Sequence, residues 1–179
     1  MVHNMRLEIF DIDETLFRTN AMIHVVKNGS KIKSLTNSEY NSYTLSADET
    51  FDFSEFNKSD KFHSESVPID HMIDHVKTSI ESQTDVYFVT ARDDFDNKEL
   101  FLETFKKQGI DTDKIRVERA GKIKDVSTGP VKKKLIIRNI LKTKQYDSVL
   151  FFDDYWDNLK EFYSLRSEFP SVEFKGVLV

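Results

Sequence analysis

At 179 residues the chain is long enough for one domain with a full hydrophobic core and too short for two large ones. The lack of cysteine excludes disulfides, thiolate metal sites and cysteine nucleophiles, and 39% hydrophobic with 32% charged residues excludes a fibrous or disordered chain. The formal charge of -5 argues against a generally basic surface for nucleic acid. Neither a secretion signal nor an apolar run of membrane-spanning length is present, so we expect residues 1–179 to form a single cytoplasmic domain without membrane contact.

In chain order, short apolar runs alternate with segments of helical spacing. Strands are predicted at residues 7–10, 85–90, 114–118, 148–152 and 172–179. Helices are predicted from Pro68, over 96–108, from Pro130 to Leu141 and over 156–165, where apolar residues recur at three- and four-residue intervals. This alternation predicts an α/β fold, a Rossmann-like parallel sheet flanked by helices.

Residues 18–67 interrupt the alternation and are predicted to form a small cap-like insertion after the first strand. Asn28-Gly29 lies between two strand-like runs and predicts a β-hairpin, because this pair readily adopts the positive φ angles of a tight turn. Thr36 and Glu39 have capping-box spacing, which indicates a short helix. The aromatic residues Phe51, Phe53 and Phe56 either pack on the core or line a substrate pocket.

Positive charge is concentrated in one part of the chain. From Lys106 to Lys144 there are 13 Lys and Arg residues against 4 Asp and Glu residues, a local charge of +9 in a chain whose total is -5. Such a run is either a solvated helix face or a landing surface for a polyanion beside an active site.

Four short motifs follow predicted strands or open predicted helices. Because parallel strands end at one edge of their sheet, we expect these motifs to meet there. Two carboxylates two residues apart suit a nucleophile and a proton donor, a hydroxyl and a lysine suit phosphoryl oxygens, and further carboxylates suit a hard cation. The motifs are Asp11-Ile12-Asp13-Glu14-Thr15, Thr90-Ala91-Arg92, Lys132 and Asp153-Asp154.

In order and spacing this set resembles the haloacid dehalogenase superfamily of aspartyl phosphatases, from about Leu7 to Leu165 apart from the insertion. Val131-Lys132 and the arginine of Thr90-Ala91-Arg92 further resemble the 3′-phosphatase domain of bacteriophage-type polynucleotide kinases. The resemblance implies a magnesium-dependent phosphomonoester hydrolase with a haloacid-dehalogenase-like core. Its expected substrates are phosphorylated molecules, including the 3′-phosphate ends of polynucleotides, and no obligate protein partner is inferred.

Carried onto this sequence, the resemblance implies that Asp11 is the nucleophile and Asp13 the acid and base. Thr90 and Lys132 would hold the phosphoryl oxygens, with Ala91, Arg92 and Lys133 as further substrate contacts. Mg²⁺ would be bound by Asp11, the main-chain carbonyl of Asp13 and Asp154, with Asp153 as a ligand or as support for one.

Several alternatives stay open at the level of sequence. Lys132, Lys133 and Lys134 are consecutive, and Lys132 is favoured because Ile136 and Ile140 then fall on its side of the helix. Arg92 either contacts the substrate phosphate or pairs with the acidic Asp93-Asp94. The other functions are a phosphatase or phosphotransferase for small metabolites and a binding protein with a relict site.

Overall fold

The computed structural model describes residues 4–125 and 127–179, and within them ten strands and six α-helices are formed. The strands are β1 (Arg6–Phe10), β2 (Phe17–Arg18), β3 (Ile23–Lys27), β4 (Ser30–Leu35), β5 (Glu49–Asp52), β6 (Val67–Pro68), β7 (Asp85–Thr90), β8 (Ile115–Arg119), β9 (Ser148–Asp153) and β10 (Glu173–Leu178). The α-helices are α1 (Asn37–Ser42), α2 (Ser59–Glu65), α3 (Asp70–Glu81), α4 (Lys98–Lys106), α5 (Gly129–Leu141) and α6 (Trp156–Tyr163). None of these helices is long and apolar enough to cross a bilayer.

The main sheet has five strands in the order β10-β9-β1-β7-β8, and every neighbouring pair is parallel. This confirms the predicted strands, with end shifts of a residue or so. The first strand lies at the centre, between β7 and β9. The carboxyl ends of these three strands are therefore adjacent, so the acidic motifs after β1 and β9 and the Thr90-Ala91-Arg92 motif after β7 lie at the same edge of the sheet.

Side chains of the central strands point alternately to the two faces of the sheet and pack into two hydrophobic cores, one on each face. On one face Phe10 and Phe88 pack with residues of α3 and α4, including Val76 and Phe105. On the other face Leu7, Ile9, Tyr87 and Val89 pack with residues of α5 and α6. The predicted Rossmann-like layering, helix on sheet on helix, is confirmed.

The helix expected to open at Pro68 begins instead at Asp70, so this part of the prediction is wrong. Pro68 pairs with Phe17 in the short antiparallel β2–β6 ladder, and the next amide, of Ile69, donates to the carbonyl of Leu16 at 2.8 Å. Proline suits a helix start and a strand equally because both tolerate its φ angle and its missing N–H. The local sequence therefore did not decide between them.

The segment 18–67 contains a second sheet, of three antiparallel strands in the order β4-β3-β5. The predicted hairpin is confirmed, with φ of 51° at Asn28 and 75° at Gly29, and so is the short helix α1, which Thr36 caps by accepting from the Glu39 amide. The sequence pattern did not predict β5 or α2. A small core around Val25, Leu35 and other apolar residues holds this segment together.

Candidate active site

Three carboxylates meet at the carboxyl edge of the main sheet. Asp11 follows β1, and its amide donates to the carbonyl of Phe152 at 2.9 Å, which places it beside the end of β9. Oxygens of Asp11, Asp153 and Asp154 all lie within 4.8 Å of one another. Oxygen-only donors at this spacing suit a hard divalent cation such as Mg²⁺.

A buried lysine partly balances these charges. The Lys133 ammonium lies 2.8 Å from Oδ1 of Asp11 and 2.9 Å from Oδ2 of Asp153, and Lys133 is only 2% exposed. This corrects the placement favoured from the sequence, because Lys133 makes these contacts and Lys132 lies half-buried in the cleft wall. Lys133 shares the inward face of α5 with Ile137 and Ile140, both buried, at the four- and three-residue spacing of one helix face.

Like charges in a buried place perturb the acidity of the site. Burial, together with the charges of Asp153, Asp154 and Asp13, raises the pKa of Asp11 well above its ordinary value, although Lys133 acts against this. Burial also raises the pKa of Asp154 to about 6, against the effect of a hydrogen bond with Asp11. Burial alone would lower the pKa of Lys133, but Asp11 and Asp153 outweigh it and raise that pKa above its ordinary value. Lys133 therefore neutralises only part of the negative charge of the cluster.

Asp13 lies at the same edge and is held by an arginine. Nε of Arg92 donates to Oδ2 of Asp13 at 3.0 Å, and Nη2 donates to Oδ1 at 2.6 Å, which makes a two-pronged ion pair. Nη1 of Arg92 donates to the carbonyl of Phe56 at 2.6 Å, and its guanidinium lies over the rings of Phe56 and Phe62. Arg92 therefore positions Asp13, rather than pairing with the acidic residues that follow it in the chain.

The Thr90-Ala91-Arg92 motif turns sharply after β7. Thr90 is fully buried, and its hydroxyl accepts from the amide of Arg92 at 3.1 Å, while Ala91 and Arg92 line the cleft. Gly121, which the sequence reasoning missed, packs against this turn, and a Cβ there would lie 2.6 Å from the Asp93 nitrogen. Only glycine fits, so the turn and Gly121 form one rigid backbone unit.

Asp153 is supported by a residue that sequence reasoning did not single out. Nδ2 of Asn158 donates to both carboxylate oxygens of Asp153 at 3.0 Å, and the amide of Tyr155 donates to Oδ1 at 2.9 Å. With Lys133 also bound, both oxygens of Asp153 are already partnered. The signal for Asn158 is its position five residues on, in the first turn of α6, where a buried polar side chain points back to the strand end.

The site opens into a cleft of about 850 Å³. Its lining includes Asp11, Asp13 and Asp154 together with Lys132 and Lys133. The segment 18–67 contributes further lining residues, including the aromatic Tyr40, Tyr43, Phe51, Phe53 and Phe56. Phe56 is buried and belongs to the small core, whereas the exposed Phe53 lines the cleft. Of the two alternatives given for these phenylalanines, core packing therefore holds for Phe56 and pocket lining for Phe53.

The basic stretch 106–144 is divided between the cleft and the remaining surface. Lys124 lines the cleft, where it pairs with Asp93. Arg138 instead pairs with Glu168, and Lys144 with Asp85. The local charge of this stretch is thus only partly directed at the site.

The arrangement combines a carboxylate cluster for a hard cation, a buried ammonium, and a further carboxylate, Asp13, that Arg92 holds in the lining of the cleft. Such a set can bind a divalent ion, stabilise an anionic group and transfer a proton. No protein-family model matches the chain, and no curated protein or solved structure is significantly similar to it.

Proposed function

We propose that the protein is a magnesium-dependent phosphomonoester hydrolase that works through an aspartyl-phosphate on Asp11. The main observation behind this proposal is that carboxylate oxygens of Asp11, Asp153 and Asp154 lie within 4.8 Å of one another, beside a buried lysine at the carboxyl edge of a parallel sheet. The sequence resemblance to aspartyl phosphatases of the haloacid dehalogenase superfamily supports the same assignment, because its motifs at Asp11 and at Asp153-Asp154 supply the carboxylates that meet here.

The donor set fits Mg²⁺. The cluster offers carboxylate oxygens, and the raised pKa of Asp11 marks a place where negative charge lacks compensation. Asp11, Asp154 and the main-chain carbonyl of Asp13 would hold the ion, while Asp153, already partnered by Lys133 and Asn158, would orient the cluster. When bound, Mg²⁺ would neutralise phosphoryl oxygens and draw the phosphorus towards the nucleophile.

The chemistry proceeds in two displacements. In the first, an Asp11 oxygen forms a bond to phosphorus as the bond to the leaving oxygen breaks, and Asp13 in its protonated form gives that oxygen a proton and becomes the carboxylate that pairs with Arg92. In the second, Asp13 takes a proton from water, whose oxygen attacks phosphorus and breaks the bond to Asp11. Inorganic phosphate leaves, and both carboxylates return to their starting state.

Stabilisation of the transferring group falls to Lys133 and the turn after β7. Lys133 holds a positive charge beside the nucleophile, and the exposed Ala91 lines the cleft at this turn, where its backbone would adjoin the phosphoryl oxygens. Thr90 supports this turn indirectly, because its hydroxyl accepts a hydrogen bond from the Arg92 amide. Arg92 fixes the orientation of the Asp13 carboxyl group within the cleft.

Among substrates, the 3′-phosphate end of a polynucleotide is the leading candidate, supported by the lysines at the cleft and by the likeness to 3′-phosphatase domains. A small nucleotide or sugar phosphate is the second candidate, favoured by the pairing of Lys124 with Asp93, which reduces the positive charge presented to a polyanion. The two differ in salt dependence, because a polyanion releases counterions on binding and a small ester releases few. A relict binding protein would require a lost catalytic group, and each motif residue is present.

The test is release of inorganic phosphate, with and without Mg²⁺, from 3′-phosphorylated oligonucleotides, mononucleotides and sugar phosphates. The variant Asp11→Asn should abolish release because an amide cannot serve as the nucleophile. The matched control Asp157→Asn changes an exposed carboxylate of the same region that lies outside the cluster, and should retain activity. Folded protein that releases no phosphate from any substrate class would contradict the proposal.

A further inference from the structure

Four aromatic rings of the segment 18–67 form one cluster of edge-to-face and tilted contacts, here called the aromatic wall: Tyr40, Tyr43, Phe51 and Phe53. The ring of Tyr40 lies 4.9 Å from that of Phe51 and 5.5 Å from that of Phe53, and Phe51 lies 5.8 Å from Phe53. Tyr43 adds an edge contact to Phe51 at 6.1 Å. All four line the same cleft as Asp11.

The wall leaves one ring uncovered. Phe53 is 43% exposed, whereas Phe56 a few residues later is buried in the small core. The exposed part of Phe53 is therefore available for stacking with a ligand in the cleft. Contacts with Tyr40 and Phe51 restrict the motion of this ring, which reduces the conformational entropy that the protein loses when a flat ligand stacks on it.

Polar groups adjoin the wall. Asn37 and Asn41 lie one turn apart on α1, and both line the cleft. A carboxamide presents donors and an acceptor together, which matches the mixed donors and acceptors along the edge of a nucleobase. An apolar ring surface with carboxamides at its margin is the composition of a base-binding site rather than of a lipid site.

The same cleft carries the charges that a phosphate would need. Lys132 and Lys133 line it together with Asp11 and Asp154. The cleft volume of about 850 Å³ is in the range of pockets that hold ligands of nucleotide size. A ligand that fills the cleft therefore meets both the carboxylate cluster and the aromatic wall.

We propose that the aromatic wall stacks the nucleobase next to the scissile phosphate, so that the substrate is a nucleotide or a polynucleotide end whose terminal base is read by its flat face. This inference rests on the proposed function for the identity of the phosphate site. It adds a specificity element, since stacking tolerates every base but rejects an ester that has none. Sugar phosphates would then be poor ligands.

The test compares two 3′-phosphorylated oligonucleotides that differ only at the last residue, one ending in thymidine and one in an abasic tetrahydrofuran residue. Binding is measured by fluorescence anisotropy with Mg²⁺ on the Asp11→Asn protein, so that no hydrolysis occurs. The base-bearing end should bind about 5- to 150-fold more tightly, the range seen when one base–aromatic stack is removed.

Variants in the same background locate the effect. Phe53→Ala should shrink the preference for the base-bearing end, and Phe53→Trp should restore it because a larger flat ring still stacks. Ile32→Ala is the matched control, an exposed apolar residue of β4 in the same small sheet that does not line the cleft, and it should keep the full preference.

Equal affinity for the two ends, failure of either to bind, or a preference that Phe53→Ala leaves intact would overturn the stacking proposal. Phosphate release by the unmodified protein is measured separately. A base preference in binding without any phosphate release would overturn the proposed hydrolase function and leave the stacking surface standing.

Discussion

Lys133 and Lys132 are adjacent in the chain but differ sharply in environment, and replacing each by methionine separates their roles. Methionine keeps most of the apolar stem and removes the charge. Lys133 is 2% exposed, with its ammonium 2.8 Å from Asp11 and 2.9 Å from Asp153. Lys132 is half-buried at the cleft wall.

The expected losses follow from these contacts. Removing one partner of a buried ion pair costs roughly 3–5 kcal/mol. The lower end applies to Lys133→Met, because Asp11 already has a raised pKa and takes up a proton when the ammonium is gone. At about 2–4 °C per kcal/mol for a chain of this size, a loss of about 3 kcal/mol lowers Tm by roughly 6–12 °C. Lys132→Met should change the free energy of unfolding by no more than about 0.5 kcal/mol.

Two assays read the outcome. Thermal unfolding followed by circular dichroism, in metal-free buffer at pH 7, gives Tm for the parent and both variants. Single-turnover phosphate release with Mg²⁺ gives the catalytic effect, and loss of one stabilising charge at the transition state should slow Lys133→Met about 10²- to 10³-fold.

A Lys132→Met protein that loses as much Tm and rate as Lys133→Met would refute the assignment. An unchanged Tm for Lys133→Met would also refute it, because removal of the ammonium leaves two buried carboxylates without their cation and should lower the free energy of unfolding. A fall in Tm without a fall in rate would keep Lys133 as a structural residue and remove it from the catalytic scheme.

The remaining predictions concern the carboxylates and the turn beside them. With the pKa of Asp154 raised to about 6, Mg²⁺ competes with a proton at lower pH, so its calorimetric Kd should rise about tenfold per pH unit below about 6; the same Kd at pH 5 and pH 7 would contradict this. The metal-free protein should lose stability as pH rises from about 4 to about 6, because only the folded state still holds that proton, and urea unfolding across this range checks the sign. Asp11→Asn should raise the Tm of the metal-free protein at pH 7, since the raised pKa means that the folded state disfavours the ionised side chain; a lower Tm would argue against charge repulsion in the cluster. Gly121→Ala should cost roughly 1–3 kcal/mol in urea unfolding, because its Cβ would lie 2.6 Å from the Asp93 nitrogen. The control Gly129→Ala meets nothing within 4 Å and should be neutral.

Local sequence was sufficient wherever a feature depends on neighbours in the chain. The hairpin at Asn28-Gly29 needs positive φ angles, and these residues supply them with little strain. Thr36 caps its helix through an amide three residues on. Asp11 could be placed at the sheet edge because an apolar strand precedes it.

Other features were decided by groups far apart in the chain. Pro68 became a strand residue because Phe17 offered a partner. Arg92 took Asp13 as its partner, 79 positions away, in place of the acidic residues next to it. β5 has no strong alternation of its own and is formed by pairing with β3. Sequence patterns register short-range geometry and not such long-range pairing.

By itself, the sequence determined the α/β alternation, the parallel sheet and the collection of Asp11, Asp153 and Asp154 at one edge. Hydrophobic periodicity is set by residues close together in the chain, and the alternation of strands and helices makes the strands parallel. Only the tertiary structure decided that Lys133 rather than Lys132 contacts Asp11 and Asp153, and that the aromatic wall lines the same cleft as the carboxylates. A helix of 3.6 residues per turn leaves its phase open by one residue until packing chooses which side is buried. Packing of Ile137 on the sheet made that choice here.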